Sequence, residues 1–170
     1  MLQPTPHQQA FREAMAHMSA AVSVITTDGA SGRCGITATA VCSVTDTPPT
    51  LLICINRSSS TNAIFKANGH VCVNVLASEH VEVARQFAGM TKVAMEQRFG
   101  LHEWRLRPGS QPRLAGALAN LEGQVTEVQE VGTHSVLLVR LDNIEVRDRG
   151  DGLVYFSRSF HQLPRPSITA

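Results

Sequence analysis

Residues 34–62 read CGITATAVCSVTDTPPTLLICINRSSSTN, and they hold a strand, a proline turn, a second strand and a hydroxyl-rich loop. Over 36–44 the side chains alternate. Ala38, Ala40, Cys42 and Val44 point one way, and Thr37, Thr39, Val41 and Ser43 the other. Proline disrupts strand pairing, so DTPP at 46–49 turns the chain into an apolar strand over 51–55. Asn56, Arg57, Ser58, Ser59, Ser60 and Thr61 follow, before a short helix that opens near Asn62.

Outward from this stretch, strands outnumber helices. Upstream, Phe11, Met15 and Met18 recur at helical spacing, which predicts an amphipathic helix over 8–18. AVSVITT at 21–27 and the turn-rich DGASGR predict a hairpin into the opening strand. Downstream come a strand at 70–76, short helices at 79–87 and 92–99, and an ordered loop at 100–114 anchored by Trp104. Long strands at 118–129 and 134–146 follow, then a short one at 153–156 and a polar tail. Numerous locally connected strands with few helices predict a single, mainly β domain over 1–170, an antiparallel barrel with helices outside it and flexible ends near 1–7 and 162–170. No G-x-G-x-x-G follows the first strand, which argues against a doubly wound dinucleotide fold.

Composition narrows the function classes. A formal charge of +1 gives no electrostatic reason to expect nucleic acid or a membrane as partner. No apolar run approaches the ~20 residues of a membrane span, and the first residues lack a signal peptide's pattern, so a cytoplasmic protein is expected. The four cysteines make no C-x-x-C pair or zinc spacing, and those at 42, 54 and 72 are expected to be buried hydrophobes. The histidines form no metal-binding pattern, and no metal is expected.

Two features have both a structural and a ligand-binding reading. The run from Ser58 to Thr61 suits a helix N-cap, with Ser60 or Thr61 capping. The turn reading needs fewer assumptions, and the run also suits an anion site, where unpaired helix N–H groups, hydroxyls and Arg57 meet a phosphate. Small residues over 36–44 leave room for a flat ligand whose edge Thr37, Thr39 and Ser43 could bond, or those side chains face water. Asn74 shares a face with Cys72 and Leu76, and its amide requires a partner, either a ligand or a neighbouring backbone group.

The whole chain resembles the short flavin reductases that supply reduced flavin to two-component monooxygenases. The resemblance runs from FREAMAHMSAAVSVITT to GLVYFSRSFH, strongest at 34–62, GHVCVNVL, ARQFAGMT, MEQRFG and VGTHSVLLVRLDNI. It implies a flavin-binding split β-barrel, normally a homodimer, that takes hydride from NADH or NADPH and passes it to FMN or FAD. The reduced flavin then diffuses to a separate aromatic-hydroxylating oxygenase. By the same resemblance Thr37, Ala38, Thr39, Ala40 and Ser43 lie along the flavin ring. Asn56, Ser58, Ser59, Ser60, Thr61 and Asn62 surround its phosphate, and Asn74, Val75, Leu76, Arg85 and Phe87 complete its site. His134, with Tyr155 and Arg158, lines the nicotinamide side, and no acid or nucleophile is required. Thr133 stands where relatives commonly carry aspartate, so a hydroxyl braces that turn here. A non-catalytic flavin- or haem-binding barrel, and a reductase with tightly held flavin, are the alternative readings.

Overall fold

A computed structural model describes residues 3–166. The first helix, α1 (Pro6–Ala16), begins where the sequence gives it a complete start signal: Pro6 at its first position and Thr5 as N-cap. Gln8 N donates to Thr5 Oγ1 at 3.2 Å and Thr5 N to Gln8 Oε1 at 2.9 Å, a reciprocal capping box. The helix thus starts two residues earlier than the apolar spacing predicts. None of its residues is buried, and Phe11 and Met18 are 61% and 62% exposed.

Among the described residues twelve strands follow the helix. The main sheet contains β2 (Ser23–Thr27), β3 (Cys34–Ala38), β4 (Val41–Asp46) and β5 (Pro49–Asn56), with β6 (His70–Val75), β9 (Ala119–Val131) and β10 (His134–Val146). Their order is β3-β2-β6-β9-β10-β5-β4, antiparallel throughout. Residues 36–44 are therefore not one strand. The chain leaves the ladder at Thr39 and Ala40 and passes from one edge of the seven-stranded sheet to the other. Cys54 N donates to Ala40 O at 3.0 Å as β4 joins its new neighbour. The edges are linked by chain rather than by hydrogen bonds, which makes the barrel split.

A smaller sheet combines β1 (Ala20–Ala21), β11 (Gly152–Phe156) and β12 (Ser159–Leu163). The strand β12 corrects the expectation of a flexible tail from 162, since Leu163 pairs with Gly152; residues 167–170 lie outside the described residues. The predicted helices appear as α2 (Asn62–Asn68), α3 (Val81–Phe87) and α4 (Met95–Arg98), with a 3-10 turn at Ser78–His80 leading into α3.

Side-chain alternation divides the interior into two cores. Ile25, Leu51, Ile53, Ile55, Val71, Val73, Leu137 and Val139 fill the barrel with Phe65 of α2. Val22, Val24 and Leu76 point outward and are covered by Val83, Ala84 and Phe87 of α3, with Phe99 and Leu114. Every residue of β2 is buried because both of its faces are covered. Trp104 anchors the 100–114 loop as expected, meeting the Phe87 and Phe99 rings at 5.4 and 5.1 Å. That loop pairs with itself through β7 (Trp104–Arg105) and β8 (Arg113–Leu114), and Arg113 is held to Glu122 at 2.7 Å.

Cys34 and Cys72 are buried, and burial raises both thiols, Cys34 to about 12, which leaves them protonated and unreactive. Cys54 is only half-buried, and Cys42 is exposed on the edge strand β4, where no element covers its face, contrary to the sequence expectation. Among the described residues no helix is long and apolar enough to cross a membrane. No group of three or more histidine, cysteine or carboxylate side chains among them could hold a metal ion.

Candidate functional site

Strand register brings the candidate residues together. Asn56, the last residue of β5, pairs with His134, the first residue of β10. The loop after β5 and the β9–β10 turn therefore lie side by side at one end of the barrel. Arg57 N donates to Thr133 O at 2.9 Å, and Arg57 Nη1 to Gly132 O at 3.1 Å. With α1 these segments enclose an open cavity of about 1060 Å³, lined by His7, Gln8, Phe11 and Arg12 on the helix side. Asn56, Arg57, Ser58 and the corner Gly132, Thr133 and His134 form the barrel side. A second cavity of about 560 Å³, lined by Asp28, Arg33, His70 and residues 106–111, shares none of the predicted site residues.

The hydroxyl run is organised by its own side chains. Asn56 Oδ1 accepts from Ser58 N and from Ser58 Oγ, each at 2.9 Å, a local turn of the kind asparagine favours. Thr61 occupies the N-cap of α2 but makes no side-chain cap; its hydroxyl lies 2.8 Å from Ser59 Oγ. The expected cap by Ser60 or Thr61 is thus absent, because Thr61 already has helical backbone angles that point its side chain away from the first turn. Glu130 takes Arg57 at 3.2 Å, Lys66 at 2.9 Å and the Ser135 hydroxyl at 2.8 Å. The Lys66 and Ser135 hydrogen bonds hold its carboxyl below the usual range, so it stays charged and fixes the loop to β9.

His134 is exposed, and its Nδ1 lies 2.9 Å from Thr133 Oγ1. The threonine hydroxyl thus braces the ring itself. That contact occupies Nδ1 and leaves Nε2 without a hydrogen-bond partner among the described residues.

Other predicted residues are spent on the fold. Asn74 is fully buried, and its Nδ2 donates to Val24 O at 2.9 Å and to Thr26 Oγ1 at 3.1 Å. Its Oδ1 accepts from Leu114 N at 2.7 Å and Asn120 Nδ2 at 2.8 Å. The loop that covers the outer face of β6 supplies the partner that the sequence left open. Asn62 is likewise buried, its Nδ2 reaching Ser135 Oγ at 3.0 Å and Ile55 O at 3.3 Å. Thr37 gives its hydroxyl to Ala84 O at 2.7 Å, while Leu76 and Phe87 belong to the outer core. Tyr155 packs on Phe160, and Arg158 pairs with Glu13 at 2.9 Å, so neither lines the cavity. Val75 is half-buried against the barrel core.

Exposed side chains remain at Thr39, Ala40, Ser43, Asn56, Ser58, Ser60, Arg85 and His134, with Ala38 and Ser59 half-buried. Sequence reasoning did not place α1 at the cavity; its signal was the complete helix start beside an apolar face that stays exposed among the described residues.

Residues 15–164 match the model of the flavin reductase like domain. The chain is 68% identical over its full length, and that of the relative, to the 4-hydroxyphenylacetate 3-monooxygenase reductase component of Pseudomonas aeruginosa. It is 48% identical to the FMN reductase (NADH) RutF of Cronobacter sakazakii, over 94% of this chain and 95% of that one. A crystal structure of a putative flavin reductase from Haemophilus somnus superposes with a TM-score of 0.85 at 37% identity, covering 91% of this chain and 98% of the other. The split barrel, its open corner and these similarities agree, and the chain belongs to the flavin reductase like domain family.

Proposed function

We propose that this chain is an NADH-dependent flavin reductase that releases reduced FMN or FAD to a separate aromatic-hydroxylating oxygenase. The observation that carries the reading is the His134–Asn56 register, which sets a braced histidine beside a hydroxyl loop at the mouth of one open cavity. A volume of about 1060 Å³ suits a ligand of dinucleotide size. Its lining of amide, hydroxyl and guanidinium donors suits phosphate and carboxamide groups.

In this reading Ser58, Ser59, Ser60 and Arg57 hold the flavin phosphate. Strand pairing lapses at Thr39 and Ala40, so backbone N–H groups there lie outside any ladder and serve the ring's polar edge. The small side chains of Ala38 and Ala40 let a flat ring approach the backbone. His134, donating from Nε2, orients the nicotinamide carboxamide. When bound, the cofactors supply the hydride chemistry, and the protein contributes orientation and donors. A loop of hydroxyls rather than a glycine-rich nest suits moderate affinity. A few charge-assisted contacts of roughly 1.5–3 kcal/mol each, less association costs, correspond to micromolar binding, which lets the product leave.

The oxygenase that fits this proposal is 4-hydroxyphenylacetate 3-monooxygenase, supported by the name of the 68% identical relative. NADH as reductant is supported by the printed name of the RutF relative. The cytoplasm, where reduced nicotinamide is available, is the proposed place of action. A homodimer is part of the same reading, supported by the exposed Val44, Ile144 and Val146 on the main sheet. Sedimentation is expected to give twice the 18.4 kDa chain mass, and a monomer would overturn the dimer.

The direct test follows NADH oxidation with and without FMN, FAD or riboflavin. Turnover that depends on added flavin is expected, and its absence with all three would sink the proposal. His134→Ala is expected to raise KM for NADH about tenfold, the worth of one hydrogen bond, with KM for flavin within about twofold of wild type. Equal losses on both sides would make His134 structural.

A further inference from the structure

The helix α1 forms one wall of the cavity, yet it buries none of its residues. An element held so lightly needs something to set its position. At roughly 100° per residue, His7, Gln8, Phe11 and Arg12 fall on one arc of the helix, and Glu13 lies opposite the middle of that arc. The arc faces the cavity. Glu13 and the last carbonyl of the helix are gripped by the turn between β11 and β12: Ser157 N donates to Ala16 O at 2.8 Å, and Arg158 Nη2 to Glu13 Oε1 at 2.9 Å.

That turn is itself unusual. Phe156 pairs with Ser159, so Ser157 and Arg158 are the two central residues of a tight hairpin, with φ of 48° and 61°. Positive φ at both positions is the type I′ pattern, which Asn-Gly adopts at little cost. Serine and arginine adopt it with strain, and such strain in a surface turn points to a task beyond reversing the chain. The task visible here is to aim one N–H and one guanidinium at the back of α1.

We propose that the Ser157–Arg158 turn is a clasp that sets α1 across the cavity, and that Arg158 thereby positions Phe11 and Arg12 for the dinucleotide reductant. The inference rests on the flavin reductase reading given above. Phe11 offers an exposed flat ring for a base or nicotinamide to lie against, and Arg12 a guanidinium for the pyrophosphate; Arg12 makes no ion pair among the described residues. Arg158 is then a positioning residue for the reductant, acting through Glu13.

The test compares wild type with Arg158→Glu, Glu13→Arg and the double exchange, and with Arg158→Gly, which suits the positive φ but removes the clasp. Hydrogen exchange of the ligand-free protein is expected to show faster exchange of the α1 amides in both charge-reversed single variants and in Arg158→Gly. In the double exchange it returns toward wild type. Steady-state kinetics are expected to show KM for NADH raised about two- to fivefold in the same three variants, the scale of an exposed ion pair, with kcat and KM for flavin within about 1.5-fold. The double exchange restores KM. Unchanged α1 exchange, equal shifts in both KM values, or no rescue by the double exchange would overturn the clasp. A wild type without flavin-dependent NADH oxidation would instead overturn the reductase reading, leaving the exchange experiment to decide whether the clasp holds α1.

Discussion

Replacing Asn74 with alanine is expected to cost about 3 kcal/mol of stability, without changing the flavin KM of the folded protein by more than about twofold. The amide closes four hydrogen bonds at a position with no exposure to solvent. Alanine leaves Leu114 N without its acceptor and the Asn120 amide with Leu114 O alone, at 3.3 Å. It also strips a donor from Val24 O and Thr26 Oγ1 and opens a small void. A buried polar group left unpaired costs roughly 1–3 kcal/mol, and Leu114 N, with the weakened Asn120 amide and the void, makes up the sum. Urea denaturation measures the loss. The kinetic half of the experiment separates the fold from the site: a stable variant with a tenfold weaker flavin KM would return Asn74 to the ligand.

Gly123→Ala is expected to be at least as damaging, with about 3 kcal/mol or more lost, or no soluble protein. The residue lies in β9 between two partners, Val71 of β6 and Leu141 of β10. A methyl group there would run into the carbonyl of Arg140 and the Cα of Leu141, both backbone atoms with no rotamer to change. The β9–β10 ladder carries register shifts at Leu138/Val139 and Leu141/Asn143, the second beside Gly123's partner, so the close approach belongs to a local bend of the hairpin. Gln124→Ala, on the exposed neighbouring residue, is the control and is expected to change stability by less than about 0.5 kcal/mol. Equal denaturation midpoints for Gly123→Ala and wild type would show that the hairpin accommodates a side chain there.

Periodicity made much of this fold legible. Apolar runs over 51–55 and 70–76 located β5 and β6, and proline at 48 and 49 marked the turn into β5. What alternation could not reveal was the break at Thr39 and Ala40. Side chains keep alternating through those residues while the backbone changes partners, and pairing partners depend on strands far along the chain. The same limit governed the site. Asn56, Ser58 and His134 converge because β5 pairs with β10, a contact across nearly eighty residues that only the family resemblance could suggest. Asn74 looked equally polar and out of place, but its partners came from the 100–114 loop and Asn120, whose path no local pattern encodes. The Arg158–Glu13 pair is the extreme case, because each residue alone reads as an ordinary surface charge.

The split seam at Thr39 and Ala40 also sets a timetable for synthesis. β3 and β4 are neighbours in the chain but lie at opposite ends of the sheet, so neither the ring nor its interior exists until the intervening strands are in place. β5 waits for β10, and β6 waits for β9, so a growing chain that has passed the hydroxyl loop still lacks the strands that enclose it. Roughly the last third of translation therefore joins two separate pieces, β3-β2-β6 and β4-β5, through β9 and β10. A nascent chain halted before residue 134 would have the hydroxyl residues but not the histidine opposite them. The proposed site is therefore complete only with the pairing of β10.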